Sequence, residues 1–208
     1  MKAYYSVELY KSEGEASIEA NGVKYRITIA DYERSGIVQG GEITEEDLEF
    51  LTEAEEKLRC IKKAFNYLSY KAHSKRGLAK KLKNAAFSDN AIEKTLFLLE
   101  EKGYLDDLTL CKEYAEHFQK RKNYGVMRIK KELYAKGFDK EVIDRTTDEL
   151  DETPEGVITE LLLKKFPRLD PEDRQARAKA VSFLTARGFG YDEINNAICA
   201  FKNEQDEE

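Results

Sequence analysis

The chain has 208 residues, 41% of them hydrophobic, enough to bury one or two ordinary cores and to argue against wholesale disorder. Apolar runs such as Leu161-Leu162-Leu163 are far too short to span a bilayer, and Met1-Lys2-Ala3-Tyr4-Tyr5 opens on no apolar signal region, so a cytoplasmic protein is expected. The formal net charge of −6 is segregated into −7 over residues 1–61, +9 over 62–136 and −8 over 137–208, a basic centre that suits contact with a polyanion or an acidic protein.

Taken from the start, Tyr5–Tyr10 and Tyr25–Ala30 alternate with period two and are rich in β-branched and aromatic residues, so both read as strands. Asn21-Gly22, placed after Ser17-Ile18-Glu19-Ala20, is a hairpin-turn signal, and a small β-meander is predicted. Thr44-Glu45-Glu46-Asp47 then supplies a capping-box start with acidic residues at the positive end of a helix dipole. No strand is predicted beyond it. Helices are also expected to begin at Thr153-Pro154 and Asp170-Pro171, where a capping side chain precedes proline. The terminal run Asn203-Glu204-Gln205-Asp206-Glu207-Glu208 reads as a frayed, solvated tail.

An internal repeat organises the rest. Leu82, Leu133 and Leu184 are separated by 51 residues each time, as are Phe87, Phe138 and Phe189, and Ile92, Ile143 and Ile194. In the same register stand Ala86, Gly137 and Gly188, where a helix would end, an aromatic would pack back onto its last turn, and a new helix would start at a cap such as Ser88 or Asp139. A preceding helix carries Ala64 and Tyr67, Ala115 and Phe118, then Phe166 and Leu169. The fold class is therefore mainly all-α, with three tandem three-helix repeats stacked into an elongated, curved body behind a small N-terminal β-element. The domains are residues 1–43, a β-rich extension; 44–105, a linker helix and the first repeat; 106–152, the second repeat; and 153–208, the third repeat with its acidic tail. Alanine at 86 breaks the glycine column, and a left-handed backbone costs a non-glycine residue about 1–2 kcal/mol. A remodelled first turn is predicted, with Asn84 in the left-handed position.

Catalytic signatures are absent: the chain contains no GxSxG, P-loop or HExxH pattern, and its carboxylate pairs Glu100-Glu101 and Asp106-Asp107 sit where helix capping explains them. No enzyme activity and no cofactor are expected. Cys60, Cys111 and Cys199 lack CxxC spacing and stand apart from His73 and His117, so no metal site is expected and the cysteines read as buried small hydrophobes. What remains is basic. Lys71-Ala72-His73-Ser74-Lys75-Arg76 bridges two helices of the first repeat, followed by Lys80, Lys81 and Lys83. Lys120-Arg121-Lys122-Asn123-Tyr124-Gly125 bridges the corresponding helices of the second, followed by Arg128, Lys130 and Lys131. A single lysine is ordinarily a solvated residue, but two corresponding clusters read as a binding surface.

At these residues the chain resembles the RecX family of recombination regulators. The resemblance rests on Ala64-Phe65-Asn66-Tyr67-Leu68-Ser69-Tyr70-Lys71-Ala72-His73-Ser74-Lys75-Arg76, on Gly103-Tyr104-Leu105-Asp106-Asp107, and on Arg121, Gly125, Ile129, Leu133 and Gly137-Phe138 in order, and covers roughly residues 60–200. It implies a monomeric, modular helical protein that binds in the groove of the RecA nucleoprotein filament and modulates, usually by inhibition, its recombinase, ATPase and co-protease activities in DNA repair and recombination. Some members also touch DNA. The implied contacts are Lys71, His73, Lys75 and Arg76 in the first repeat and Arg121, Arg128, Lys130 and Lys131 in the second. Gly77 and Lys71 depart from the family pattern, which more often has an acidic helix former and an arginine there. A second reading uses the same basic face: a helical protein that binds single- or double-stranded DNA directly, with no recombinase partner.

Overall fold

The computed structural model describes residues 5–10, 14–20, 22–38, 41–150 and 156–206. Three strands, β1 (Tyr5–Tyr10), β2 (Glu15–Ala20) and β3 (Val23–Thr28), form an antiparallel sheet in that order, with Ala20 opposite Val23 and Gly22 at φ 74°. Asn21 lies outside the described residues. Period-two alternation puts Ala16, Ile18 and Ala20 on one face, and they share a core with Ile27, Leu51 and Ala54.

Where Tyr25–Ala30 was expected to stay extended, the strand ends at Thr28 and α1 (Ile29–Ser35) begins. The cause is local. The Thr28 hydroxyl accepts from Asp31 N at 3.1 Å and donates to Asp31 Oδ2 at 2.7 Å, a cap that outcompetes the β propensity of Ile29. Asp31 in turn anchors the element: its buried Oδ1 lies 2.6 Å from Lys57 Nζ on α2 (Glu45–Tyr70). Lys62, further along α2, pairs with Glu15 at 2.5 Å, and Arg26 reaches the same carboxylate at 2.9 Å. Burial pushes the Glu15 carboxyl up, but the hydrogen bonds and charges of Lys62 and Arg26 outweigh it and hold the group below the ordinary glutamate value.

The capping box at Thr44 and Asp47 is present as the sequence predicts. Along its 26 residues α2 then serves two cores, giving Leu51 and Ala54 to the sheet and Cys60 and Ala64 to the first repeat. That repeat is completed by α3 (Lys75–Asn84) and α4 (Asp89–Glu101). The second consists of α5 (Asp107–Lys122), α6 (Val126–Ala135) and α7 (Lys140–Asp148), the third of α8 (Val157–Lys165), α9 (Arg174–Ala186) and α10 (Tyr191–Asp206). The chain divides into two compact units, Met1–Leu105 and Asp106–Glu208, the latter holding the second and third repeats. Among the described residues no strand follows β3, and no helix is long and apolar enough to cross a membrane.

The 51-residue period governs the middle of each repeat. The middle helices end at Asn84, Ala135 and Ala186, and the last helices start at Asp89, Lys140 and Tyr191, each set in register. Phe138 and Phe189 are buried and Phe87 is half-buried, all at the predicted site. Elsewhere the third repeat departs from expectation. Phe166 caps α8 and Leu169 lies beyond it, still buried, so the helix predicted to carry both stops short of them. Asp170-Pro171 does not open a helix either. The Asp170 carboxylate accepts from Glu172 N at 2.9 Å in a turn, and α9 starts after Asp173, whose side chain caps Gln175 N. The proposed start at Thr153-Pro154 lies outside the described residues. With no glycine or proline to stop it, α10 runs on to Asp206 through part of the expected tail.

The predicted remodelling of the first turn does not occur. Ala86 itself takes the left-handed conformation at φ 64°, beside 89° at Gly137 and 91° at Gly188. Hydrogen bonding is the same in all three turns: Phe87, Phe138 and Phe189 donate to the carbonyls of Leu82, Leu133 and Leu184 at 3.4, 3.3 and 3.3 Å. Packing of the aromatic back onto the helix decides the backbone, and alanine accepts the strain. Ala86→Gly should therefore stabilise the chain by roughly 0.5–1 kcal/mol, the relieved strain less the entropy glycine loses on folding. A urea midpoint equal to or below that of the native chain would contradict this.

The second and third repeats are joined through backbone. Gly125 is the N-cap of α6 and has no side chain to offer, so α6 draws its cap from the next repeat: Met127 N donates to Gly188 O at 3.2 Å. Gly125 N donates to Arg187 O at 2.9 Å, and the Arg187 guanidinium returns a bond to Lys122 O at 3.0 Å. A Cβ on either glycine would fall inside the other repeat, within 2.6 Å of Phe189 N for Gly125 and 2.8 Å of Arg128 Cα for Gly188.

Cys60 and Cys111 are fully buried at equivalent positions, beside Thr95 and Thr146, and burial pushes both thiols up. Their place in the core is as predicted. Cys199 is exposed, contrary to expectation, because Ile194, Ile198 and Phe201 form the buried stripe of α10 and residue 199 falls off it.

Candidate functional site

The first basic cluster follows from the break between α2 and α3. Lys71 ends α2 with an extended backbone and is exposed, and Ser74, buried, caps α3 by accepting from Gly77 N at 3.1 Å. His73 is held between them, edge-on to Tyr67 with ring centroids 6.5 Å apart. Burial first, then the charges of Lys81 and Lys71, pushes its imidazole below the ordinary histidine value. It is therefore a neutral group at pH 7, set among cations rather than adding to them. Lys75 lies 2.6 Å from Glu100 on α4, while Arg76 projects from the exposed side of α3. Of the lysines that follow, Lys81 stands over the Tyr67 ring at 4.9 Å, Lys83 pairs with Asp89, and Lys80 is exposed.

In the second repeat Asn123 closes α5 at φ 50°, and Arg121 stands exposed in the last turn, where a cation also complements the helix dipole. Arg128 is partly covered: it pairs with Glu132 at 2.7 Å, lies over the Tyr124 ring at 5.5 Å, and packs its backbone against Gly188. Lys130 reaches Asp144 on α7 at 2.7 Å, and that hydrogen bond holds the Asp144 carboxyl below the ordinary aspartate value. Lys131 is exposed, and neither it nor Arg121 forms an ion pair among the described residues.

The eight residues thus divide by what they touch. Lys75 and Lys130 pin one helix of their repeat to another, Arg128 supports the joint with the third repeat, and His73 fills the α2–α3 corner. Lys71, Arg121 and Lys131 present charge to solvent, and Arg76 lies on the exposed side of α3. Each cluster, taken within its own repeat, can attract carboxylates or phosphates. Among the described residues no group of acidic, histidine and cysteine side chains could hold a metal ion. Sequence reasoning passed over a third basic set on the exposed side of α9, Arg174, Arg177 and Lys179, because the net charge of −8 over residues 137–208 masks it. The register would have shown it, since Arg177 stands 102 residues after Lys75.

Comparison with known proteins agrees with this architecture. The signature of the first three-helix domain of RecX matches residues 60–96, and that of the third matches residues 156–198. Regulatory protein RecX of Chlorobium phaeobacteroides (strain BS1) is 32% identical over 145 residues, 66% of this chain and 92% of the relative. Regulatory protein RecX of Clostridioides difficile (strain 630) is 30% identical over 162 residues, covering 77% and 76%. Among solved structures, the crystal structure of a regulatory protein RecX superposes with a TM-score of 0.76 at 24% identity, over 93% of this chain and 99% of its own. RecX from Lactobacillus salivarius gives a TM-score of 0.64 at 21% identity, over 72% and 98%. The two structures speak for the fold, and the sequence relatives carry the assignment: this chain belongs to the RecX family of regulatory proteins.

Proposed function

We propose that this chain binds a RecA nucleoprotein filament and restrains its recombinase, ATPase and co-protease activities. The contact is made by Lys71, His73, Lys75 and Arg76 of the first repeat and Arg121, Arg128, Lys130 and Lys131 of the second. One observation supports this above the others: the basic clusters of two repeats each carry exposed cations, Lys71, Arg76 and Lys80 in the first and Arg121 and Lys131 in the second, on helices that Lys75 and Lys130 tie to their neighbours. Helices held in place keep the spacing of these charges, so several can meet a complementary surface at once, whereas a scattered solvated lysine contributes almost nothing.

The test is charge reversal. Arg121→Glu with Lys131→Glu should weaken inhibition of RecA strand exchange roughly tenfold or more, because reversal adds repulsion to lost attraction. The fold should be intact, since both side chains are exposed. Arg34→Glu with Arg59→Glu, exposed positions in the acidic part of the chain, serve as the matched control. Equal loss in both pairs would mean that overall charge governs binding and would remove the case for this face. Direct DNA binding is separated by salt: on duplex, each neutralised phosphate contributes about −0.9 to the log–log slope of affinity against salt, and a protein contact responds less steeply.

A further inference from the structure

The three repeats allow a comparison that a single domain would not. In each middle helix the same three positions, spaced i, i+4 and i+7, form a ridge opposite the core. The core side is alike throughout: Leu78 and Leu82 in α3, Ile129 and Leu133 in α6, Ala180 and Leu184 in α9, all buried. The ridge is exposed throughout but differs in chemistry. It is Arg76, Lys80 and Lys83 in α3. In α9 it is Ala178, Ser182 and Thr185. In α6 it is Met127, Lys131 and Tyr134, with Met127 69% and Tyr134 60% exposed.

A lone exposed apolar residue is ordinary. Here the other two repeats act as internal controls: the same helix, in the same register, folds with three cations or with three small side chains on its ridge. Folding therefore does not call for methionine and tyrosine on α6. Met and Tyr are side chains that protein interfaces favour, the first because it adapts to an irregular pocket, the second because it brings a large rigid contact at little entropic cost. Lys131 stands between them, exposed and without an ion pair among the described residues, and Arg121 lies in the last turn of the preceding helix.

We propose that the ridge Met127, Lys131 and Tyr134 of α6 is an apolar anchor that seats this chain on a protein subunit of the filament, in a pocket with an apolar floor and a carboxylate rim. The rim follows from charge complementarity with Lys131 and Arg121. A nucleic acid is the poorer match: the Tyr134 ring could stack on one base and Lys131 meet one phosphate, but the 69% exposed Met127 thioether has neither charge for a phosphate nor a flat face for a base and would stay uncovered. The inference rests on the filament-binding reading and assigns a different kind of contact to each repeat: cationic in the first and apolar with a central charge in the second.

The experiment measures binding of the full chain to RecA filaments on single-stranded DNA, and to the same DNA alone, at two salt concentrations. Met127→Ala with Tyr134→Ala should weaken filament binding about thirtyfold or more, the scale of interface hot spots, by a similar factor at both salts. Binding to DNA alone should change less than about twofold, and Ser182→Ala with Thr185→Ala should leave filament binding within about twofold of the native chain. Met127→Gln with Tyr134→Gln, which keeps good helix formers at both sites, repeats the test should the alanine pair melt early. Native-level filament binding by the double variants would overturn the ridge and leave the filament reading standing. An equal loss on DNA alone would make the ridge a nucleic-acid surface and overturn the protein pocket. A native chain that does not bind the filament would overturn both readings.

Discussion

Gly188→Ala should lower the free energy of unfolding by about 3 kcal/mol or more, from two penalties that add. The backbone at Gly188 has φ 91°, where an L side chain costs about 1–2 kcal/mol. The new Cβ would also meet Arg128 Cα at 2.8 Å and crowd Arg128 N and Cβ, and overpacking typically costs about 1–3 kcal/mol. The joint has little room to relax, because the atoms opposite are the first turn of α6 and its Met127 N–H depends on the Gly188 carbonyl for its cap. Gly103→Ala is the control: φ is 74° there, but nothing lies within 4 Å of the added Cβ, so only the backbone penalty applies. Urea unfolding would rank the two variants, and hydrogen exchange at the Met127 amide would report opening of the joint. Equal destabilisation by both substitutions would show that the close approach of Gly125 and Gly188 adds nothing.

Asp31→Ala should cost about 3–5 kcal/mol, because it strands a mostly buried ammonium. The Lys57 side chain is 17% exposed and the Asp31 side chain 4%, so water can screen neither well. The same substitution removes the carboxylate that accepts from the Thr28 hydroxyl. Asp31→Leu combined with Lys57→Met should recover most of the loss, since a buried ion pair contributes little net stability over apolar residues of similar size. Thermal unfolding of Asp31→Leu, Lys57→Met and the double variant completes the cycle. A single-variant cost below about 1 kcal/mol would show that Lys57 escapes to solvent and that the clamp is weak. Lys62 with Glu15 forms a second link between α2 and the sheet, but Lys62 is half exposed, so this link is the softer of the two.

The repeat was legible because it lives in side-chain type and spacing. The leucine and phenylalanine columns mark where each middle helix must bury its face and where it must turn, and helix ends at Asn84, Ala135 and Ala186 keep that period to the residue. Local competition was harder to read. Thr28-Ile29-Ala30-Asp31 carries a capping pattern inside an apparent strand, and a two-residue hydrogen-bond exchange settles it in favour of α1. Likewise, Asp170-Pro171 has the look of a helix start, yet the aspartate spends its carboxylate on Glu172 N and leaves capping to Asp173.

By itself, then, the amino-acid order determined the helical class, the 51-residue register, the buried columns and the basic corners of two repeats, all of which depend on near neighbours and periodicity. Only the tertiary structure decided which cations are spent on structure. Lys130 and Lys75 are indistinguishable from Lys131 and Lys71 in sequence, but Asp144 and Glu100 arrive from other helices to neutralise the first two. It also decided Ala86, where the pull of Phe87 back onto the helix outweighs a backbone preference of about 1–2 kcal/mol, because the aromatic's burial is collective and the strain is borne by one residue. And it decided that Gly125 and Gly188, 63 residues apart and readable only as two flexible positions, are the points where two repeats touch backbone to backbone, since absence of a side chain has no meaning until a neighbour occupies its place.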